Sequence, residues 1–78
     1  MSHAVTAEMT REELLRELLA IERETHELLE RAARVCTDPE ERALFERLAK
    51  REESSLIELQ TEMERLEAVE FVQRALDC

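Results

Sequence analysis

The chain is short, acidic and free of glycine: it has 78 residues, a formal net charge of -9, one proline and no tryptophan or tyrosine. So few residues form a single domain, and the negative charge argues against nucleic-acid binding because it repels phosphate. The chain has no run of about 18 apolar residues, so no membrane span is predicted. The N-terminus also lacks the pattern of a secretory signal, and we therefore expect a cytoplasmic protein without membrane contact.

The first predicted helix begins at a capping box. Thr10 takes the N-cap position, and Glu13 takes the third helical position, from which its carboxylate reaches back to the cap. Residues 1–9 are then an N-terminal extension to one domain of residues 10–77. Two apolar stripes with helical spacing follow and make a face wider than a coiled-coil seam. They are Leu14, Leu18, Ile21, Thr25, Leu28, Ala32 and Val35, and beside them Leu15, Leu19, Glu22, His26, Leu29, Ala33 and Cys36.

The strongest break in the pattern is the sequence CTDPE. Asp38 is suited to cap a new helix, and Pro39 is suited to its first position, where a missing N–H costs nothing. The residue before a proline avoids the helical region. We therefore predict helix 1 at about 10–36, a turn at 37–38 and helix 2 at about 39–77. A connection this short predicts an all-α, antiparallel helical hairpin.

The second helix carries an equally wide apolar face, which a lone hairpin has no interior to hide. We expect self-association, as a homodimer or a higher homo-oligomer, into a four-helix bundle. Helix 2 is the longer helix, so its C-terminal end extends past the hairpin. We expect that end to pack on a second subunit, on residues 1–9 or on another protein, or to fray. A break at Ser54-Ser55 or at Thr61 is the alternative and would give three helices.

Two carboxylates interrupt the apolar faces. In a hairpin with its turn at 37–38, Glu22 and Glu52 lie at the same height and both point inward, with His26 one turn closer to the turn. Buried carboxylates lose solvation and repel each other. A two-fold dimer would bring these acids and their mates together, and oxygen-rich clusters suit iron, manganese, magnesium or calcium. The alternative is that either Glu lies at the edge of its stripe, paired in water with His26, Arg23 or Arg51.

The segment AIERETHELLERAARVCTDPEERALFERLAKREESSLIEL resembles the helical hairpin of the rubrerythrin and ferritin-like di-iron proteins. In that family helix 1 carries a ligand Glu followed by a bulky pair and small residues, which correspond here to Glu22, Leu28-Leu29 and Ala32-Ala33. Helix 2 carries Glu and His three residues apart as iron ligands. Glu52 matches that Glu, and Ser55 occupies the position of the His. The short form is similar to the encapsulated ferritins, whose hairpins dimerise to build the metal site between chains.

The resemblance implies a ferritin-like protein that binds, oxidises or stores iron, or binds another divalent metal, at an incomplete carboxylate site between chains. Glu22 and Glu52 are the predicted metal ligands, and His26 is predicted to add a nitrogen ligand that the family does not use. Any enzymatic activity would be ferroxidase-like, since Cys36 and Cys78 have no placed base for nucleophilic catalysis. The alternative is a degenerate bundle without cofactor, which acts as a structural or protein-interaction module through the C-terminal end of helix 2.

Overall fold

The computed structural model describes residues 5–77 as a hairpin of two α-helices. Helix α1 spans Arg11–Val35 and has 25 residues, and helix α2 spans Pro39–Leu76 and has 38 residues. The two helices pack against each other along their length, and no strand occurs in this part of the chain. The predicted all-α hairpin is confirmed, with both helices ending within a residue or so of the predicted bounds. Neither helix of the described range is long and apolar enough to cross a membrane.

Both helices begin at the predicted caps. The Thr10 hydroxyl accepts a hydrogen bond from the Glu13 N–H at 3.1 Å, and the Glu13 carboxylate accepts one from the Thr10 N–H at 3.3 Å. Asp38 accepts a hydrogen bond from the Glu40 N–H at 3.2 Å. These contacts satisfy N–H groups that have no partner inside the helix.

An arginine from α2 closes the other end of α1. The Arg42 Nε donates to the Ala33 carbonyl at 3.1 Å, and Nη2 donates to the Cys36 carbonyl at 3.0 Å. These carbonyls lie at the C-terminal end of α1, where intrahelical donors run out. Arg42 therefore joins the last turn of α1 to the first turns of α2 and holds the hairpin closed at its turn.

The alternative with three helices is wrong. Helix α2 continues through both candidate break points. The Ser54 hydroxyl donates to the Lys50 carbonyl at 3.4 Å, and the Thr61 hydroxyl donates to the Ile57 carbonyl at 2.8 Å. Each hydroxyl thus bonds back to the preceding turn of its own helix, which is the alternative to capping that Ser and Thr have inside a helix.

The hairpin buries very little. Ala33, Ala49 and Met63 are its buried apolar residues, because two helices side by side enclose only the line between them. The second stripe of α1 turns toward α2, whereas Leu18, Leu28 and Val35 of the first stripe are exposed and its other members are half-buried. We call the side of the hairpin that carries this uncovered apolar surface the open face. Its most exposed members are Leu18 (45 %), Leu28 (61 %), Val35 (78 %), Leu44 (43 %), Val69 (50 %), Val72 (53 %) and Leu76 (78 %).

Candidate metal centre

Glu22 and Glu52 lie at the same level of the hairpin. Glu22 lines one groove between the helices together with Ser55 and Glu58, and His26 lines another together with Ala49 and Lys50. Glu52 lies between Ala49 and Ser55 on α2, so it is level with the stretch of α1 from Glu22 to His26. The antiparallel geometry predicted from the turn therefore holds at this height.

Each of these two carboxylates has a buried oxygen without a partner. The Oε2 atoms of Glu22 and Glu52 are shielded from solvent and have no hydrogen-bond partner within residues 5–77. A buried acceptor left unpaired costs about 1–3 kcal/mol, and more when it is charged. Both side chains as a whole are half-buried, so each glutamate has one shielded oxygen and remains partly accessible to solvent.

The Glu22 groove opens on the open face. It has a volume of about 390 Å³ and is lined by Leu18, Glu22, Ser55, Glu58, Leu59 and Glu62. Ser55 thus lies beside Glu22, at the place where the family resemblance puts a ligand histidine. Glu62 is tied to Arg65 by an ion pair of 2.6 Å. The groove is therefore lined by three acidic side chains, a serine and two leucines, and carboxylate oxygens are ligands that suit hard divalent cations.

His26 is placed differently from the two glutamates. It lines the groove on the other side of the helix pair, with Glu30, Arg34, Glu46 and other charged residues. Its Nδ1 lies 3.3 Å from the Glu30 carboxylate. That contact orients the ring through Nδ1 and leaves Nε2 outside the contact. Histidines that bind a metal through one ring nitrogen usually direct the other ring nitrogen to a carboxylate.

One hairpin does not assemble a complete site. Across residues 5–77, no three side chains of His, Cys, Asp or Glu come close enough together to hold a metal ion. The two carboxylates alone would leave most of the ligands of a divalent cation to water.

The structure also contains a second pair of neighbouring acidic residues, which the sequence did not predict. Glu12 and Glu70 join the free ends of the hairpin through a side-chain hydrogen bond, which raises the pKa of Glu70 above its ordinary value of 4.5. Arg16 pairs with Glu12, and Arg74 lies 3.5 Å from Glu70. Glu70 is more residues away from the turn than Glu12 is, so its backbone lies farther along the hairpin. Helical side chains lean toward the N-terminus of their own helix, so in an antiparallel pair these two lean toward each other.

No protein-family model, no curated protein and no solved structure matches this chain. The resemblance to the ferritin-like proteins therefore depends on the quoted residues alone.

Proposed function

We propose that two copies of the hairpin form a ferritin-like four-helix bundle that binds a divalent metal ion, iron foremost, between the chains. Glu22 and Glu52, which are half-buried with one shielded carboxylate oxygen each, are the ligands that each copy contributes. The observation that carries the proposal is the pair of buried, unpaired Oε2 atoms. A metal ion would offset both the lost solvation and the mutual repulsion of these carboxylates.

The exposed surface supports the dimer on which this site depends. A compact monomer of this mass exposes roughly 4,900 Å², whereas this chain exposes 6303 Å². The excess is roughly 1,400 Å², compared with about 800 Å² that each partner buries in a typical stable interface. The open face carries exposed leucines and valines, and it is also the face that carries Glu22. One association would therefore cover the bare leucines and complete the site.

Metal binding is the part of the resemblance that these residues support best. The oxygen of Ser55 replaces the nitrogen of the family's histidine, so the ligands are mainly carboxylates. Such a set favours hard cations and weakens the case for the usual di-iron redox centre. Iron oxidation and storage belong to the same proposal only where Fe(II) is the ion that binds.

The test is a metal titration of protein freed of metal by dialysis. Fe(II) under anaerobic conditions, Mn(II) and Zn(II) are added in turn, and bound metal per chain and Tm are measured. We expect at least one ion to bind and to raise the stability by about 2.7 kcal/mol at a hundredfold excess over Kd. Glu22→Gln and Glu52→Gln should abolish this gain, while Glu27→Gln and Glu64→Gln, at exposed positions of the same helices, should keep it.

The metal-free variants sharpen the test. Because the buried carboxylates are costly when they have no partner, Glu22→Gln should raise the Tm of the metal-free protein even though it lowers the Tm in the presence of metal. A change in Tm of opposite sign with and without metal would identify a metal site whose carboxylates destabilise the metal-free protein. Absence of bound metal for all three ions, together with unchanged Tm values, would refute the proposal.

The second candidate function is a bundle without metal that acts as a structural or protein-interaction module. Ser55 beside Glu22 favours it, because a lost histidine is the change expected when the chemistry is lost. The exposed C-terminal end of α2 also favours it, because that end offers a binding surface. The same titration separates the two candidates, since a stable dimer that takes up no ion supports the second.

A further inference from the structure

The C-terminal end of α2 is uncovered in the hairpin. Residues 71–77 are all exposed, and Val69, Val72 and Leu76 form an apolar row of three- and four-residue spacing along the open face. We call residues 69–77 the C-terminal segment. Helix α1 reaches only the start of this segment, where Glu12 contacts Glu70, because α1 begins at Arg11.

The other end of the open face is bare as well. Leu44 on α2 and Leu28 on α1 are exposed near the turn. We call the part of the hairpin between Leu28 and Leu44 the turn end. Leu44 and Val72 lie nearly equidistant from the middle of α2, which falls between Ile57 and Glu58. A two-fold axis at this middle would therefore place the C-terminal segment of each copy on the turn end of the other.

We propose that the hairpins dimerise in this register, so that the C-terminal segment of one copy packs on the turn end of the second copy, with Val72 against Leu44. The inference rests on the proposed dimer and fixes its geometry. An axis at Glu52 would overlap α1 fully with its mate, but it would leave about 17 Å of each α2 beyond the second copy, with the apolar row bare. The axis at the middle of α2 covers the exposed residues at both ends.

This register brings acidic side chains of the two copies together, so their mutual repulsion opposes it unless a cation is bound between them. The groove of Glu22, Glu58 and Glu62 lies beside the middle of α2, so in the proposed dimer the two acidic grooves meet around the axis. Glu62 of the second copy then comes near the height of Glu22, whose Oε2 has no partner in its own chain. The same placement leaves Glu22 and Glu52 of one copy roughly 14–17 Å along the helices from Glu22 and Glu52 of the other. Each carboxylate pair is therefore completed by Glu62 of the second copy and not by its Glu22 or Glu52.

A disulfide experiment tests the register directly. In a background with Cys36→Ser and Cys78→Ser, Leu44→Cys is combined with Val72→Cys, and the protein is oxidised with glutathione disulfide. Within one straight helix the two positions are about 42 Å apart, so they cannot pair in one chain. The matched control combines Leu44→Cys with Glu62→Cys, the pair that an axis near Glu52 would bring together.

We expect the Leu44/Val72 pair to give a covalent dimer on denaturing gels at a yield at least about tenfold above that of the Leu44/Glu62 pair. Sedimentation of the unoxidised proteins is measured alongside. Cross-linking of Leu44/Glu62 instead, or of neither pair in a protein that sediments as a dimer, would overturn the register and leave the proposed function standing. A chain that sediments as a monomer with and without metal would overturn the dimer itself and with it the proposed function.

Discussion

At the scale of single residues, the chain keeps two glutamates where its packing would favour leucines. Glu22 and Glu52 each have an oxygen that is buried and unpaired, whereas most glutamates on the outer faces are exposed. The sequence predicted this placement from the interruption of an otherwise apolar stripe. It did not predict that His26 would turn to Glu30, because residues one turn apart on a wide face can open on either side of the neighbouring helix.

The Glu12–Glu70 pair predicts a pH dependence of stability. The Glu12 hydrogen bond raises the pKa of Glu70 in the folded protein, so folding favours the protonated form. The stabilisation is complete below the ordinary value of 4.5 and is lost as the pH rises through the raised folded pKa. Glu70→Gln keeps a hydrogen-bonding group without a charge. We therefore expect the difference between its Tm and that of the wild type to shift in favour of the variant as the pH rises.

The measurement is a series of thermal melts from about pH 4 to about pH 8. The control is Glu67→Gln, which removes one exposed charge from the preceding turn of the same helix. Arg16 and Arg74, which attract the two carboxylates, remain in both variants. A constant Tm difference between Glu70→Gln and the wild type across this range would contradict the carboxyl pair.

At the scale of the helices, local signals were sufficient for the architecture. The Thr10 capping box and the Asp38-Pro39 pair set both helix starts, since each satisfies backbone groups within a few residues. The doubtful positions were Ser54, Ser55 and Thr61, where local chemistry allows either a cap or a bond to the preceding turn. Continuous packing of α2 against α1 decided between them, and such a long-range contact cannot be derived from a five-residue window.

Arg42 is the residue whose loss should loosen the hairpin most at its turn. It donates to two carbonyls at the end of α1, and each such bond from a charged donor stabilises by about 1–2 kcal/mol. Because Arg42 is exposed, water replaces part of both bonds in the variant, so we expect Arg42→Ala to lower the free energy of unfolding by only about 1–2 kcal/mol in total and the Tm by about 5–10 °C. Arg42→Lys should retain part of this stability, because a single ammonium group cannot reach both carbonyls with the geometry of the guanidinium fork.

Thermal melts by circular dichroism measure the effect. Arg31→Ala is the matched control, since Arg31 is an exposed arginine in the body of α1, and it should change the Tm by less than about 3 °C. If Arg42→Ala and Arg31→Ala have the same Tm, water satisfies the two carbonyls equally well, and the stability of the hairpin does not depend on the Arg42 side chain.

At the scale of the whole molecule, the hairpin leaves much of its apolar surface uncovered. Its helices bury three apolar residues, whereas chains this short usually need a partner, a metal or a disulfide to be stable. The proposed bundle would supply the partner, and the width of the apolar faces is the sequence feature that predicts it. The placement of a two-fold axis lay beyond the sequence, because stripes on both helices allow several registers. The lengths of α1 and α2 in three dimensions, and the exposure at both ends of α2, narrow that choice.

The open face should therefore control both association and stability. Leu18 lies on it, beside the groove of Glu22, and Ile57 is an exposed apolar residue of α2 that the helical repeat turns away from it. We expect Leu18→Gln to shift the monomer–dimer equilibrium toward monomer by at least about tenfold, because burial of a leucine contributes about 1.5–3 kcal/mol in each copy. Ile57→Gln, which makes the same chemical change on the other side, should leave the equilibrium nearly unchanged.

Two measurements decide the outcome. Sedimentation equilibrium gives the association constant, and thermal melts over a hundredfold range of concentration show whether folding and association are coupled, since the Tm of a dimer rises with concentration. The wild type and Ile57→Gln should share this rise, and Leu18→Gln should begin from a lower Tm at every concentration. If both substitutions weaken the association constant equally, exposed apolar residues on either side of the hairpin promote association. The ordered two-hairpin bundle would then be the wrong assembly.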